Sequence, residues 1–245
     1  MKKETIRHMS EYLNREMCFH IYGEKGQPFL IFPSQDGRYF DFENNGMVES
    51  VRYWIEEGKI QLFCVDSIDK ESWSDTYGDP RHRIFMHEQW YNYILYEVIP
   101  IIHQYNHYER IMTAGCSMGA THALNFILRR PDIFSGTIAM SGYYDSDLFF
   151  GDYHDQLIYL NSPVQYIHGM SYEHPYVPMY RHQDIILCVG QGAWEDEMIR
   201  SAKRMEELFA YKDIPVWVDY WGYDVNHDWP WWQKQFPYFV EKVIK

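Results

Sequence analysis

The 245-residue chain is short of several things, and each shortage removes a class of function. It has only four cysteines, Cys18, Cys64, Cys116 and Cys188, far apart and with no CxxC pair. They read as reduced, buried side chains of a cytoplasmic protein rather than as a disulfide framework. Positive charge is scarce: the net charge is −13, which leaves no basic footprint for nucleic acid or an anionic membrane. No window approaches the ~18 apolar residues a transmembrane helix needs. The first residues, MKKETIRHMSEYLNREM, hold two lysines with no apolar run behind them, so no signal peptide is expected. Internal repeats and low-complexity linkers are also missing.

What the chain does have is an aromatic-rich, globular composition: 46% hydrophobic, 23% charged and 18% aromatic residues. Its length allows one α/β domain that buries most of its unfolded surface without staples. Short apolar runs alternate with longer amphipathic segments. The runs are Gln27–Pro33, Ile60–Val65, Arg110–Ala114, Thr137–Met140, Asp184–Val189 and Val216–Tyr220. Near-continuous apolar runs of strand length predict strands buried on both faces of a parallel sheet. Between them, helices are predicted over Met47–Glu57, Glu88–His103 (with Pro100 as a kink or end), Ala120–Arg130, Asp196–Tyr211 and Phe236–Ile244. The alternation predicts a doubly wound, mostly parallel α/β sheet across residues 1–245. Ser146–Gln183 breaks the rhythm. It is rich in Tyr, His, Pro and Asp and is expected to form a small cap, residues 146–183, over the carboxyl edge of the sheet.

The chemistry centres on Gly115-Cys116-Ser117-Met118-Gly119. Gly-x-Ser-x-Gly alone is a weak pattern, but here an apolar strand precedes it and a helical pattern follows it. A strand-to-helix turn needs glycines because the two backbones approach within contact distance. Such a turn lifts the Ser117 hydroxyl clear of the sheet and puts a helix N-terminus beside a developing oxyanion, with the Met118 N–H as one donor. Serine needs a base. Of 12 histidines, only His227 follows Cys188, in a loop between the last strand and the last helix, where a nucleophile-elbow enzyme carries its base. His103 and His107 have helical i, i+4 spacing but no evident third ligand, so no metal is expected. His122, on the helix after the elbow, is expected to pack. The acid should follow Asp184–Val189, in the loop GQGAWEDEMIR. Asp196 is the first choice and Glu195 the alternative; Asp145 is an outside candidate. Asp196 also reads as a helix N-cap, which would free Glu195. The second oxyanion donor is expected after the first central strand, in FPSQDGRYFD, at Gln35.

Three segments together resemble the putative-esterase family of α/β-hydrolases, which includes S-formylglutathione hydrolases, feruloyl and acetylxylan esterases, enterochelin esterases and mycolyltransferases. They are GCSMGATHALNFILRRPDIFSGTIAMSGYYD, CVGQGAWED and WGYDVNHDWPWW. The resemblance implies an α/β-hydrolase fold, a Ser–His–acid triad at Ser117, His227 and an acid near Asp196, and ester hydrolysis without a cofactor. In the mycolyltransferases the oxyanion donor sits where Gln35 falls here. The sequence departs from the family pattern at the acid, where carboxylates compete, and at the oxyanion loop, which has Pro-Ser in place of His-Gly. The 146–183 segment matches no member of the family.

The function expected is therefore a serine carboxylesterase that forms an acyl-enzyme. An acyltransferase or thioesterase with the same triad is the alternative, and a non-catalytic binding member of the fold is a further one. The expected partner is a small-molecule ester, with no nucleic acid, membrane or metal; a homo-oligomer is left open. Trp229 and His168 are the candidate pocket residues.

Overall fold

The computed structural model describes residues 1–244. Eight strands form one sheet: β1 (Lys3–Ser10), β2 (Arg15–Tyr22), β3 (Gln27–Phe32), β4 (Ile60–Val65), β5 (Ile111–Cys116), β6 (Phe134–Met140), β7 (Asp184–Val189) and β8 (Trp217–Tyr220). Their spatial order is β1-β2-β4-β3-β5-β6-β7-β8. From β4 to β8 every neighbouring pair is parallel. All six apolar runs become strands. Two further strands come from the first 22 residues, where β1 and β2 pair antiparallel and β2 lies antiparallel to β4. β1 was not expected because an edge strand need not be an apolar run. Its burial alternates between exposed and half-buried along its length.

The helices are α1 (Asp41–Asn44), α2 (Met47–Ser50), α3 (Arg52–Glu56), α4 (Pro80–Tyr93), α5 (Ile99–Tyr105), α6 (Met118–Arg129), α7 (Asp147–Phe150), α8 (Gln156–Leu160), α9 (Pro163–Gly169), α10 (Tyr176–Tyr180), α11 (Asp196–Tyr211) and α12 (Trp229–Val243). The expected helix at 47–57 is two pieces, broken at Val51. The one expected over Glu88–His103 starts earlier, where Asp79 caps Pro80 and its side chain accepts the Arg81 N–H. Pro100 neither ends that helix nor leaves an α-turn intact. A π-helical turn, Ile94–Val98, joins α4 to α5 just ahead of it. Proline has no N–H to offer the preceding turn, and a π-bulge is one way a helix absorbs the loss. The last helix also starts earlier than expected, at Trp229, capped by the Asp228 carboxylate on the Trp229 N–H.

Alternation along each central strand divides the core in two. On β3, Leu30 and Phe32 face one cluster with α4, α5, α6 and α11; Phe29 and Ile31 face the other with α1, α2, α3 and α12. Helices therefore cover both faces, as a buried parallel sheet requires.

The 146–183 segment is helical, and its halves go to different places. Phe149, Phe150, Tyr153, Leu157 and Ile158 join Trp73, Ile84 and Met118 in a third cluster, beside the start of α6. The later half turns away: Tyr166, Ile167, Val177 and Tyr180 enter the main core on the α6 and α11 side.

Under the first half lies a buried polar group. His122 on α6 bonds Asp69 (Nε2 to Oδ1, 3.1 Å) with both side chains enclosed. Its ring stacks on His87, 5.2 Å between centroids, and His87 Nε2 meets Asn161 Oδ1 at 3.1 Å. Burial, then the neighbouring His122 and Arg129, holds the His87 imidazole well below the usual histidine range. In the fold His87 therefore stays neutral, whereas the unfolded chain protonates it as pH falls through ~6.5. The unfolded state binds the extra proton, so this stability is full above that pH and lost below it. The loss approaches about 1.4 kcal/mol per pH unit. Denaturant melts at pH 7 and pH 5 should show a smaller acid-induced loss in His87→Leu than in wild type, whatever the variant's overall stability.

Candidate active site

β5 ends at Cys116 and α6 begins at Met118, leaving Ser117 alone to reverse the chain. Its backbone has φ 57° and ψ −124°, a conformation that ordinary L-residues avoid. What imposes this is backbone-to-backbone contact. A Cβ on Gly115 would stand 2.4 Å from the Gly119 carbonyl, and one on Gly119 would stand 2.5 Å from the Phe32 carbonyl oxygen. The Ser117 N–H donates to the Met140 carbonyl on β6, and its own carbonyl accepts from the N–H groups of Ala120 and Thr121. The hydroxyl is thus held at the carboxyl edge of the sheet on a fixed base.

His227 sits in the loop between β8 and α12. Its Nε2 is 2.9 Å from Ser117 Oγ and its Nδ1 is 3.4 Å from Glu195 Oε2. An ionised carboxylate only accepts, so the proton belongs on Nδ1 and Nε2 accepts from the serine hydroxyl. Two loops are pressed together to achieve this. Gly190 and Gly192 lie against the Val225 backbone, where a Cβ on Gly190 would come within 2.1 Å of the Val225 oxygen. The Gly192 N–H donates to the Val225 carbonyl, and the His227 N–H to the Ala193 carbonyl.

The carboxylate that meets His227 is that of Glu195, which has no exposed surface. This corrects the first choice of Asp196. The latter is exposed, at the first turn of α11, and it does not cap the helix either; that position is Glu195 itself, without a side-chain capping bond. The three adjacent acids GAWEDE gave no way to tell which one turns inward. The helix start decides it: α11 begins at Asp196, so Asp196 and Glu197 fall in its first turn and Glu195 is left at the cap position. Asp145 is engaged elsewhere, accepting from the Ser146 N–H, Ser162 and Gln165.

Ser141 and Trp232 complete the setting. Ser141 Oγ lies 2.6 Å from Glu195 Oε1 and 3.0 Å from Trp232 Nε1, and the Trp232 ring stands edge-on to His227 at 4.9 Å. The SGYYD segment drew attention for its acid, whereas the side chain that reaches the site is its serine.

The Met118 N–H is the first of α6, and among the described residues neither it nor the Gln35 N–H donates a hydrogen bond. Phe32 and Pro33 press on Gly119, so the chain leaving β3 crosses the first turn of α6 just before Gln35. The Gln35 side chain is turned to Ser74, 3.0 Å away. Cys116, next to Ser117, is enclosed, and burial pushes its thiol well above the usual cysteine range, so it stays protonated.

The two pocket residues expected from the sequence fare differently. Trp229 is half-buried and edge-on to Trp232 at 5.0 Å, so it supports the ring that contacts His227. His168 does not belong to the site. It is exposed in the last turn of α9, beside Gly169 and Met170, which line a cavity of about 590 Å³. That cavity is walled by Leu128 and Arg129, at the end of α6 opposite Ser117. Among the described residues no group of three or more His, Cys, Asp or Glu is placed to hold a metal, and no helix is long and apolar enough to cross a membrane.

Comparison with known proteins agrees with this architecture. The family model described as Putative esterase matches residues 10–242. Among solved structures, a ferulic acid esterase superposes with TM-score 0.78 at 16% identity, covering 99% of this chain and 97% of the other. An S-formylglutathione hydrolase from Agrobacterium tumefaciens gives 0.77 at 16%, covering 98% and 93%. FphF, a fluorophosphonate-binding serine hydrolase of Staphylococcus aureus, gives 0.76 at 14%, covering 100% and 98%. The fold is that of the α/β-hydrolases. No curated protein matches the sequence.

The glycine contacts carry a direct test. Gly119→Ala has no room to relax, because the opposing atoms are backbone. It should lower stability by about 1–3 kcal/mol or more, read as a fall in the denaturation midpoint. Ala123→Gly on the same helix, away from the elbow, should lose only about 1 kcal/mol from helix propensity plus the loss of one buried methyl.

Proposed function

Because this chain belongs to the Putative esterase family and is a serine carboxylesterase, we propose that Ser117, His227 and Glu195 are its triad. The observation that carries this is one hydrogen-bonded line: a strained Ser117, its hydroxyl 2.9 Å from His227 Nε2, and the opposite ring nitrogen facing the enclosed Glu195 carboxylate. In a first step Ser117 Oγ attacks the ester carbonyl while His227 Nε2 takes its proton. The negative charge gathers on the carbonyl oxygen, where the N–H groups of Met118 and Gln35 receive it. His227 then protonates the departing alcohol, leaving an acyl-Ser117. Water attacks the acyl-enzyme with His227 again as base, and the acid is released. Glu195 stays ionised throughout; it keeps the Nδ1–H tautomer and stabilises the imidazolium.

The partner is a small-molecule ester, and no step calls for a cofactor. Four free, buried cysteines support a reducing, cytoplasmic setting. The first half of the 146–183 segment, through Phe150 and Ile158 against Met118, acts as a wall of the site.

Ser117→Ala should abolish p-nitrophenyl acetate hydrolysis with an unchanged melting curve; turnover by pure variant protein would refute the triad. The acid is tested separately. Glu195→Gln should lower kcat by about 10³- to 10⁴-fold, the scale for losing a triad carboxylate. Asp196→Asn should stay within about twofold of wild type, as an exposed site away from the reacting atoms predicts. The reverse pattern in steady-state kinetics would restore Asp196 as the acid.

A further inference from the structure

β5 and β6 end alike. Ser117 and Ser141 both have φ 57°, and each donates its N–H to the next strand, Ser117 to Met140 and Ser141 to Cys188. A glycine would adopt that backbone without strain, and glycine does occupy the following position, 142. A strained non-glycine residue at the edge of an active site calls for a role for its side chain. Ser141 has one: with no exposed surface, its Oγ touches Glu195 at 2.6 Å and Trp232 Nε1 at 3.0 Å.

The direction of these bonds is determined by chemistry. An indole N–H can only donate, so Trp232 spends its proton on Ser141 Oγ. The serine then has one hydrogen left, and Glu195 Oε1 receives it. The other contact to that oxygen is the Gly190 N–H at 3.4 Å, a longer bond. Among the described residues neither an arginine nor a lysine meets this buried carboxylate. Its second oxygen is 3.4 Å from His227 Nδ1, long enough that a small rotation of the carboxylate would break the contact. Trp232 also holds the imidazole itself, edge-on.

Building on the proposed triad, we infer that Ser141 and Trp232 are positioning residues: the line Trp232 N–H to Ser141 O–H to Glu195 keeps the carboxylate aimed so that His227 holds its proton on Nδ1. Neither side chain touches substrate. The Trp232 ring couples the two ends, since its N–H orients the acid and its edge orients the base.

The test uses Ser141→Ala and Trp232→Phe in the full chain, with melting curves to confirm folding. With p-nitrophenyl acetate, each should lower kcat roughly 10- to 100-fold, the worth of a hydrogen bond to a charged group, and leave KM within about twofold. In a Glu195→Gln background, Ser141→Ala should cost less than about twofold, because the carboxylate it serves is already gone. An equal loss in both backgrounds would overturn the inference and leave Ser141 merely structural. A second readout needs no turnover. Ring ¹⁵N NMR should show His227 as a single Nδ1–H tautomer in wild type and as a mixture in Ser141→Ala; an unchanged tautomer overturns the positioning role. A wild-type protein that neither hydrolyses esters nor labels with fluorophosphonate would count against the esterase triad instead, while the NMR result would still decide the role of Ser141.

Discussion

The site depends on one steric fact: at the end of β5 three backbone segments touch with no side chain between them. Gly115 lies on Gly119, and Gly119 lies on the carbonyls of Phe32 and Pro33. Two distant segments, the chain leaving β3 and the turn after β5, are thereby brought together at the first turn of α6. The serine conformation and the passage of the chain leaving β3 across the start of α6 both follow from it. The strain at Ser117 is local, and the cost is met by the packing of α6. All its residues from Met118 to Leu128 are buried.

A second close approach does the same for His227 and Glu195. The loops after β7 and β8 touch through Gly190, Gly192 and Val225, with the His227 N–H on the Ala193 carbonyl. His227 and Glu195 are 32 residues apart in sequence, yet they stand on one joined platform. The serine is tied to that platform through Met140 and the Ser141 peptide, whose N–H reaches β7. Consecutive strand ends of a parallel sheet thus carry Ser117, Ser141, Glu195 and His227, in that order across β5, β6, β7 and β8.

Much of this was legible in the sequence, for reasons that can be named. Strands buried on both faces leave continuous apolar runs, so β3 to β8 stood out. The glycine spacing around Ser117 and the lone late histidine pointed to two side chains that the fold brings to 2.9 Å of each other. Three things were hidden. The edge strand β1 has only weak alternation. The inward carboxylate depends on where α11 starts, and a one-residue difference decides between Glu195 and Asp196. His168 looked suited to a pocket because the 146–183 segment was taken as one cap, whereas its second half folds down the side of the sheet. Ser141 left no local signature, since its partners lie 54 and 91 residues away.

Met118 is where the architecture and the 146–183 segment meet. Its N–H belongs to the turn at Ser117, while its side chain is packed with Trp73, Phe150 and Ile158. Formation of that apolar cluster and closure of the turn are therefore thermodynamically linked: each is a contact that the other makes cheaper. Sequence change in the segment therefore shifts how firmly the turn itself is held.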